Sequence, residues 1–259
     1  MQEYTFDPHL YLQQIVVVGS GGTGSQLAKQ LASLLYHRRE KRHTVPELVF
    51  IDPDIIEPHN IGRQAFIPAE IGEPKAAVLA RRYNFAFGLE IQAICKPLNA
   101  AKHLNRNALV CGCVDNHHAR KELASAQQIT WIDAGNGFNF GQVVIGNRGD
   151  WTTVMDGLDR AQDGKCRFLP HAGLLFPELF QPEKPEKTDE APLSCAELVI
   201  RDEQHLYVNA VMGQMVAQYV YQLLNREPIT SFVSFATLSP NFAIRSIPIT
   251  RENLATYSA

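Results

Sequence analysis

The chain has 259 residues, 45% of them hydrophobic, with 24 Lys and Arg against 27 Asp and Glu. That composition suits a folded core and excludes disorder as the main state. The net charge of −3 speaks against a general nucleic-acid binder, which needs a strong positive field. No apolar run reaches the roughly 20 residues of a membrane span. Residues 1–14 lack the basic start and apolar middle of a signal peptide. Five cysteines, an odd number with no CxxC pair, argue against a disulfide framework and against structural zinc. A reducing cytoplasm is the expected location.

In chain order, Ile15-Val16-Val17-Val18 reads as a strand buried on both faces. Gly19-Ser20-Gly21-Gly22-Thr23-Gly24 follows at once. Leu27, Ala28, Leu31, Leu34 and Leu35 then recur at helical spacing, which predicts a helix from Thr23 to Tyr36. Residues 37–47 are mostly polar, carry Pro46 near their end, and read as a solvated loop. Leu48–Ile51 is the second strand, closed by Asp52-Pro53-Asp54. After a Pro-rich stretch come a helix from Lys75 to about Phe87 and a strand over Leu89–Cys95. A short helix capped by Asn99 and a buried strand over Ala108–Val114 follow. A helix from His117 to Gln127 and a strand over Ile129–Asp133 complete the first half. Strand and helix alternate throughout residues 15–134. That predicts a doubly wound, Rossmann-like, mostly parallel α/β sheet carrying the nucleotide-binding half of a single 1–259 domain.

The C-terminal half, 135–259, reads differently. Phe138–Gly146 suggests an antiparallel strand extending the sheet, and residues 148–176 show no clear period. Residues 177–192 are rich in Pro and charge and read as a mobile loop within a crossover spanning 177–195. An apolar helix over about 203–224 has a face wide enough to be either buried or an oligomer contact. Ser231–Leu238 and Asn241–Ile247 read as two strands joined at Ser239-Pro240.

Gly19-x-Gly21-x-x-Gly24 lies between a strand and a helix, where backbone N–H groups approach phosphate oxygens. Gly22 belongs to the same loop. Asp52 ends the second strand, the place of an acid that binds a ribose hydroxyl. It lies 28 residues beyond Gly24, and the 37–47 stretch absorbs the excess over the dehydrogenase spacing. Asp115 ends a further strand at the same sheet edge. Cys111 and Cys113 in that strand read as packing groups. Cys195, ahead of a helix, has the setting of an activated thiol as readily as of a bystander. His117 and His118 and the basic run Arg38–His43 read as solvated.

Asp52-x-Asp54-x-x-x-Pro58-x-Asn60-x-x-Arg63-Gln64, then Gly72-x-Pro74-Lys75, then Cys113-Val114-Asp115-Asn116, resemble the ThiF/MoeB/HesA family. These are the bacterial relatives of ubiquitin-activating enzymes. The resemblance covers roughly residues 12–147 and, more loosely, 203–249. It implies an ATP- and magnesium-dependent adenylyltransferase acting on the C-terminal carboxylate of a small ubiquitin-like β-grasp protein. In that reading Asp52 holds the ribose, Asn60, Arg63 and Lys75 contact the triphosphate, and Asp115 helps hold Mg2+. Asp54, Gln64 and Asn116 belong to the same nucleotide-binding set. Cys195 resembles the crossover cysteine that takes the acyl group as a thioester. The large relatives hold two such modules, so the resemblance implies a homodimer here, with the 203–224 helix as its expected contact. Two departures stand out. Residues 1–28 contain no Lys or Arg, where many relatives carry an Arg that reaches the partner's ATP, and the zinc CxxC pairs are missing. The Cys-bearing crossover is similar to the ThiF-related branch of PRTRC gene cassettes, which also encode a ubiquitin-like protein. Other readings stay open: a tRNA-modifying ATP-dependent dehydratase of the same family, an NAD-dependent oxidoreductase, or a non-catalytic partner on this fold. Hydride transfer gives Arg63, Lys75 and Asp115 no task.

Overall fold

The structure is a computed structural model and describes residues 2–8, 11–181 and 205–258. Its frame is an eight-stranded sheet. In chain order, β1 (Thr5–Phe6) pairs in parallel with β8 (Lys165–Cys166) as a separate two-stranded ribbon. The main sheet contains β2 (Gln14–Val18), β3 (Glu47–Ile51), β4 (Gln92–Ile94), β5 (Leu109–Gly112), β6 (Thr130–Asn136) and β7 (Phe140–Gly146). It is completed by β9 (Ser231–Thr237) and β10 (Ala243–Pro248), in the spatial order β10-β9-β7-β6-β5-β2-β3-β4. From β4 to β6 all pairs are parallel; β7, β9 and β10 extend the sheet antiparallel. The strands read as apolar runs because both faces are covered: all five residues of β2 are buried, and Ile15, Val16 and Val17 are fully so.

The register lines up the carboxyl ends. Val18 pairs with Ile51 and with Gly112, and Gly112 pairs with Asp133. Gly19, Asp52 and Cys113 therefore leave the sheet at one edge, level with Ala134 of β6. Chain order reverses between β2 and β5, so this edge opens a crevice at a topological switch point.

Helix α1 spans Gly22–Glu40, longer than the sequence period suggests. The first four residues of the 37–47 stretch, His37–Glu40, are thus helical. Arg38 bonds the Leu224 carbonyl at 3.1 Å and Asn225 Oδ1 at 2.9 Å, and Arg39 bonds the Phe87 and Gly88 carbonyls. These cations satisfy carbonyls at the ends of two other helices, a favourable place for positive charge. The other helices are α2 (Lys75–Phe87), α3 (Ala100–His103), α4 (His117–Ser125), α5 (Trp151–Asp159), α6 (Ala172–Leu175), α7 (Val208–Asn225) and α8 (Arg251–Tyr257). Asn99 caps α3 as expected, accepting from Lys102 N at 3.1 Å. The aperiodic 148–176 stretch contains α5, which Asp150 caps by accepting from Thr153 N, and α6, capped by His171.

One expectation is corrected. The apolar face of α7 is covered within the chain, by α1, β6 and β7, with Val208, Met212, Val216 and Val220 fully buried. That face is core, the buried alternative of the two the sequence left open. Pro177–Phe180 at the start of the expected crossover forms a 3-10 turn; the remainder of that segment, with Cys195, lies outside the described residues. No helix among the described residues is long and apolar enough to cross a membrane.

Candidate functional site

A cleft of about 1260 Å³ runs along the carboxyl edge. Gly19, Gly21, Gly22, Asp52, Asp54, Asn60, Arg63, Gln64, Lys75, Asp115 and Asn116 all line it. Segments scattered over residues 19–116 thus meet in one cleft, and Gly24 packs beneath its glycine loop.

The glycine loop divides its labour. Gly19 has φ +88°, and a Cβ there would lie 2.5 Å from the Cys113 carbonyl oxygen. A Cβ on Gly24 would lie 1.8 Å from the Gly19 carbonyl oxygen. Both glycines are therefore demanded by packing. Gly21 is different: the nearest atom to its Cβ place is 4.0 Å away, so its open side faces the cleft. Helix α1 begins here with no side-chain cap and no acid in its first turn. Its leading N–H groups and positive end suit an anion.

Asp52 is 4% exposed and accepts from the Ser20 and Asp54 N–H groups. Burial pushes its carboxyl above the usual range, and those two bonds and Lys75 pull it back in part. Lys75, at the start of α2, is buried and bonds Asp54 Oδ2 at 3.1 Å; Asp54 itself is solvated. Asn60 is buried, with its Oδ1 taken by Glu57 N at 2.9 Å. Gln64 Oε1 is a buried acceptor with no hydrogen-bond partner.

Arg63 is 5% exposed, and the reason lies in a residue the sequence reading passed over. Asn209 on α7 turns its amide oxygen to Arg63, accepting from Nε at 3.2 Å and Nη2 at 3.0 Å; its nitrogen donates to Thr23 Oγ1 at 3.2 Å. The guanidinium has only donors, so it fixes this orientation. The Asn136 carboxamide meets that of Asn209 at 2.9 Å. Gly22 leaves room for this group: a Cβ there would lie 2.6 Å from it. Asn209 was legible as a lone polar residue in the apolar stripe of Val208, Met212 and Val216.

Across the cleft, Asp115 is exposed at the end of β5. Asn116 spends its Oδ1 on capping α4, accepting from Ala119 N at 2.8 Å. A second unforeseen residue is Arg120. It is 7% exposed, lines the cleft, and places Nε 3.4 Å from Oδ1 of the buried Asp133 on β6. Burial raises the Asp133 carboxyl, and Arg120 opposes that rise. Cys111 and Cys113 bear out the packing role. Burial pushes the Cys111 thiol up to about 12 and Cys113 well above its ordinary value, which keeps both protonated and inert.

The donor set fits a nucleoside triphosphate. Asp52 and Gln64 Oε1 offer acceptors for sugar or base donors; Arg63, Lys75 and the N–H groups of α1 offer donors for phosphate. Among the described residues no three His, Cys, Asp or Glu gather around a metal-sized site. A lone Asp115 suits Mg2+, which takes most of its ligands from phosphates and water.

A sequence model of the ThiF family matches residues 8–256. No curated protein sequence matches the chain significantly. Among solved structures, E. coli MccB with ATP is similar at 17% identity and TM-score 0.56, covering 92% of this chain and 64% of that one. MccB, a microcin C7 biosynthetic enzyme, in complex with N-formylated MccA is similar at 18% identity and TM-score 0.56, covering 92% and 65%. PaaA is similar at 16% identity and TM-score 0.55, covering 92% and 65%. The chain thus spans less than two thirds of the length of these structures, and the likeness is one of fold. With the family model matching nearly end to end, the chain belongs to the ThiF family.

Proposed function

We propose that this protein adenylates a carboxylate with ATP, and that the carboxylate is the C-terminus of a small ubiquitin-like β-grasp protein. One observation carries the reading: buried Arg63 and Lys75 converge with an uncapped helix N-terminus in one crevice, beside the acceptor Asp52. A dinucleotide site has no need of two buried cations at the phosphate end, whereas attack on a triphosphate does.

In this reading one carboxylate oxygen forms a bond to the α-phosphorus. The bond from that phosphorus to the bridging oxygen breaks, and pyrophosphate leaves with the electron pair. Arg63 offers a fork and Lys75 a point charge to the phosphate oxygens as charge moves onto them. Asn209 holds the Arg63 plane. Asp52 fixes the ribose, and Asn60, Gln64 and the glycine loop complete the pocket. Asp115 would help hold Mg2+, which would supply further neutralisation of the leaving group. Cys195 then takes the acyl group: its thiolate attacks the acyl carbon, a thioester forms, and AMP leaves. A homodimer, on the family resemblance, completes the reading.

Pyrophosphate exchange into ATP, stimulated by purified β-grasp proteins with free C-termini, tests it. Asp115→Ala abolishes exchange. Cys195→Ala leaves exchange intact and loses the thioester. Undiminished exchange in Asp115→Ala overturns the site assignment.

A further inference from the structure

We infer that Arg120 and Gln142, flanking Gly135, hold the carboxylate of the acyl substrate, and that this substrate is an extended peptide end bearing apolar side chains. The inference rests on the adenylation reading and names how the second substrate is gripped.

The two sheet faces separate the tasks. A Cβ on Gly141 would lie 2.4 Å from Met212 sulfur, so that residue of β7 faces α7, the partner of α1. Gln142, the next residue, points to the opposite face. Arg120 lies on that face too. Its Nη2 is 3.8 Å, and Gln142 Nε2 3.9 Å, from the place a Cβ on Gly135 would occupy. The missing side chain at Gly135 thus leaves a gap between a guanidinium edge and an amide, both on the cleft wall. Two sets of N–H donors around one gap fit a carboxylate. The phosphate donors named above lie elsewhere, Arg63 and the start of α1 beside α7 and Lys75 at the start of α2, which packs on α1, so Arg120 is surplus to the triphosphate.

Asp133 takes the Nε edge of Arg120 at 3.4 Å, which fixes the guanidinium plane and turns the remaining edge toward Gly135. A cation buried to 7% exposure is costly to keep unless it is paired and used. The approach is apolar. Phe138 and Phe140 line the cleft beside Gly135 and remain 50% and 56% exposed, with no aromatic partner among the described residues.

The test titrates the full-length protein, loaded with Mg2+ and α,β-methylene-ATP, with a mixed pool of apolar hexapeptides. One pool has free C-terminal carboxylates, the other is amidated, and the readout is the thermal shift. The carboxylate pool shifts the wild type and the amide pool does not. Arg120→Gln keeps the shift given by the nucleotide and binds the carboxylate pool on the order of 30-fold more weakly. Arg120→Lys, which keeps the charge without the fork, falls between. Should Arg120→Gln fail to fold, Arg120→Gln with Asp133→Asn keeps a neutral hydrogen-bonded pair and gives the same readout. Equal responses to the two pools, none included, overturn the inference. So does an undiminished carboxylate response in Arg120→Gln. Loss of the nucleotide shift in a folded Arg120→Gln assigns Arg120 to the triphosphate instead. A wild type that ignores the nucleotide altogether is a failure of the adenylation reading, not of this grip.

Discussion

Asn209 offers a way to separate holding the fold from holding the nucleotide. Its carboxamide accepts two bonds from Arg63, at 3.2 and 3.0 Å, and donates one to Thr23. It is 3% exposed. Hydrogen bonds to a charged group are worth about 1.5–3 kcal/mol each and neutral ones about 1, with strong non-additivity. Asn209→Ala should therefore cost about 3 kcal/mol, which lowers Tm by roughly 6–12 °C in a chain of this size. Asn209→Asp behaves differently. The carboxylate still accepts from Arg63, and the Thr23 hydroxyl turns to donate, so Tm stays within about 3 °C of the wild type. Yet the new negative charge neutralises Arg63 beside the triphosphate. At about 6 Å and an effective dielectric of 20, one unit charge against another is worth roughly 3 kcal/mol. Mg·ATP affinity in Asn209→Asp should then fall about 100-fold while the fold holds. Calorimetry gives Tm and isothermal titration gives affinity. An Asn209→Asp protein that binds Mg·ATP like the wild type refutes the placing of Arg63 at the phosphates.

Three further predictions follow from the same cleft. Gly24→Ala puts a Cβ 1.8 Å from the Gly19 carbonyl oxygen, so it should lose about 3 kcal/mol or more of stability. Gly21→Ala should keep Tm and weaken Mg·ATP instead; equal Tm losses in the two variants would contradict the division of the loop. Lys75→Met should weaken Mg·ATP by roughly tenfold or more, because its partner Asp54 is solvated and its removal leaves the cleft short of a cation. Wild-type affinity in Lys75→Met would remove it from the site. Asp52 has a raised carboxyl in the folded protein, so its contribution to stability is present below its ordinary value of 3.8 and is lost as pH rises through the folded value. The wild type should thus gain in Tm relative to Asp52→Asn as pH falls from about 7 to about 4. A constant difference across that range would show that burial does not govern this carboxyl.

The parallel half of the sheet was legible because strands covered on both faces appear as unbroken apolar runs, as in β2 and β5. Their order carried the site with them, since Gly19, Asp52 and Asp115 each follow a strand end. The end of α1 was misjudged because His37–Glu40 is charged; those residues stay helical as Arg38 and Arg39 reach carbonyls of other helices. In α5 the period was present in Trp151, Val154, Met155 and Leu158, within a stretch read as irregular. The wide apolar face of α7 announced burial but not what buries it, a fact fixed only by tertiary packing against α1. Arg120 and Asn209 were missed for one physical reason. A polar residue on a helix reads as solvent-facing until a distant partner, Asp133 or Arg63, is seen to cover it.

The most direct measurement is a thermal-shift titration of the wild type and Asp115→Ala with Mg·ATP and, in parallel, with NAD. A ligand at about 100 times its dissociation constant adds roughly 2.7 kcal/mol to stability. For this chain that is a rise of roughly 5–11 °C. The account predicts that rise for Mg·ATP on the wild type, none for NAD, and its loss in Asp115→Ala. A rise with NAD and none with Mg·ATP would contradict it and return the glycine loop to a dinucleotide.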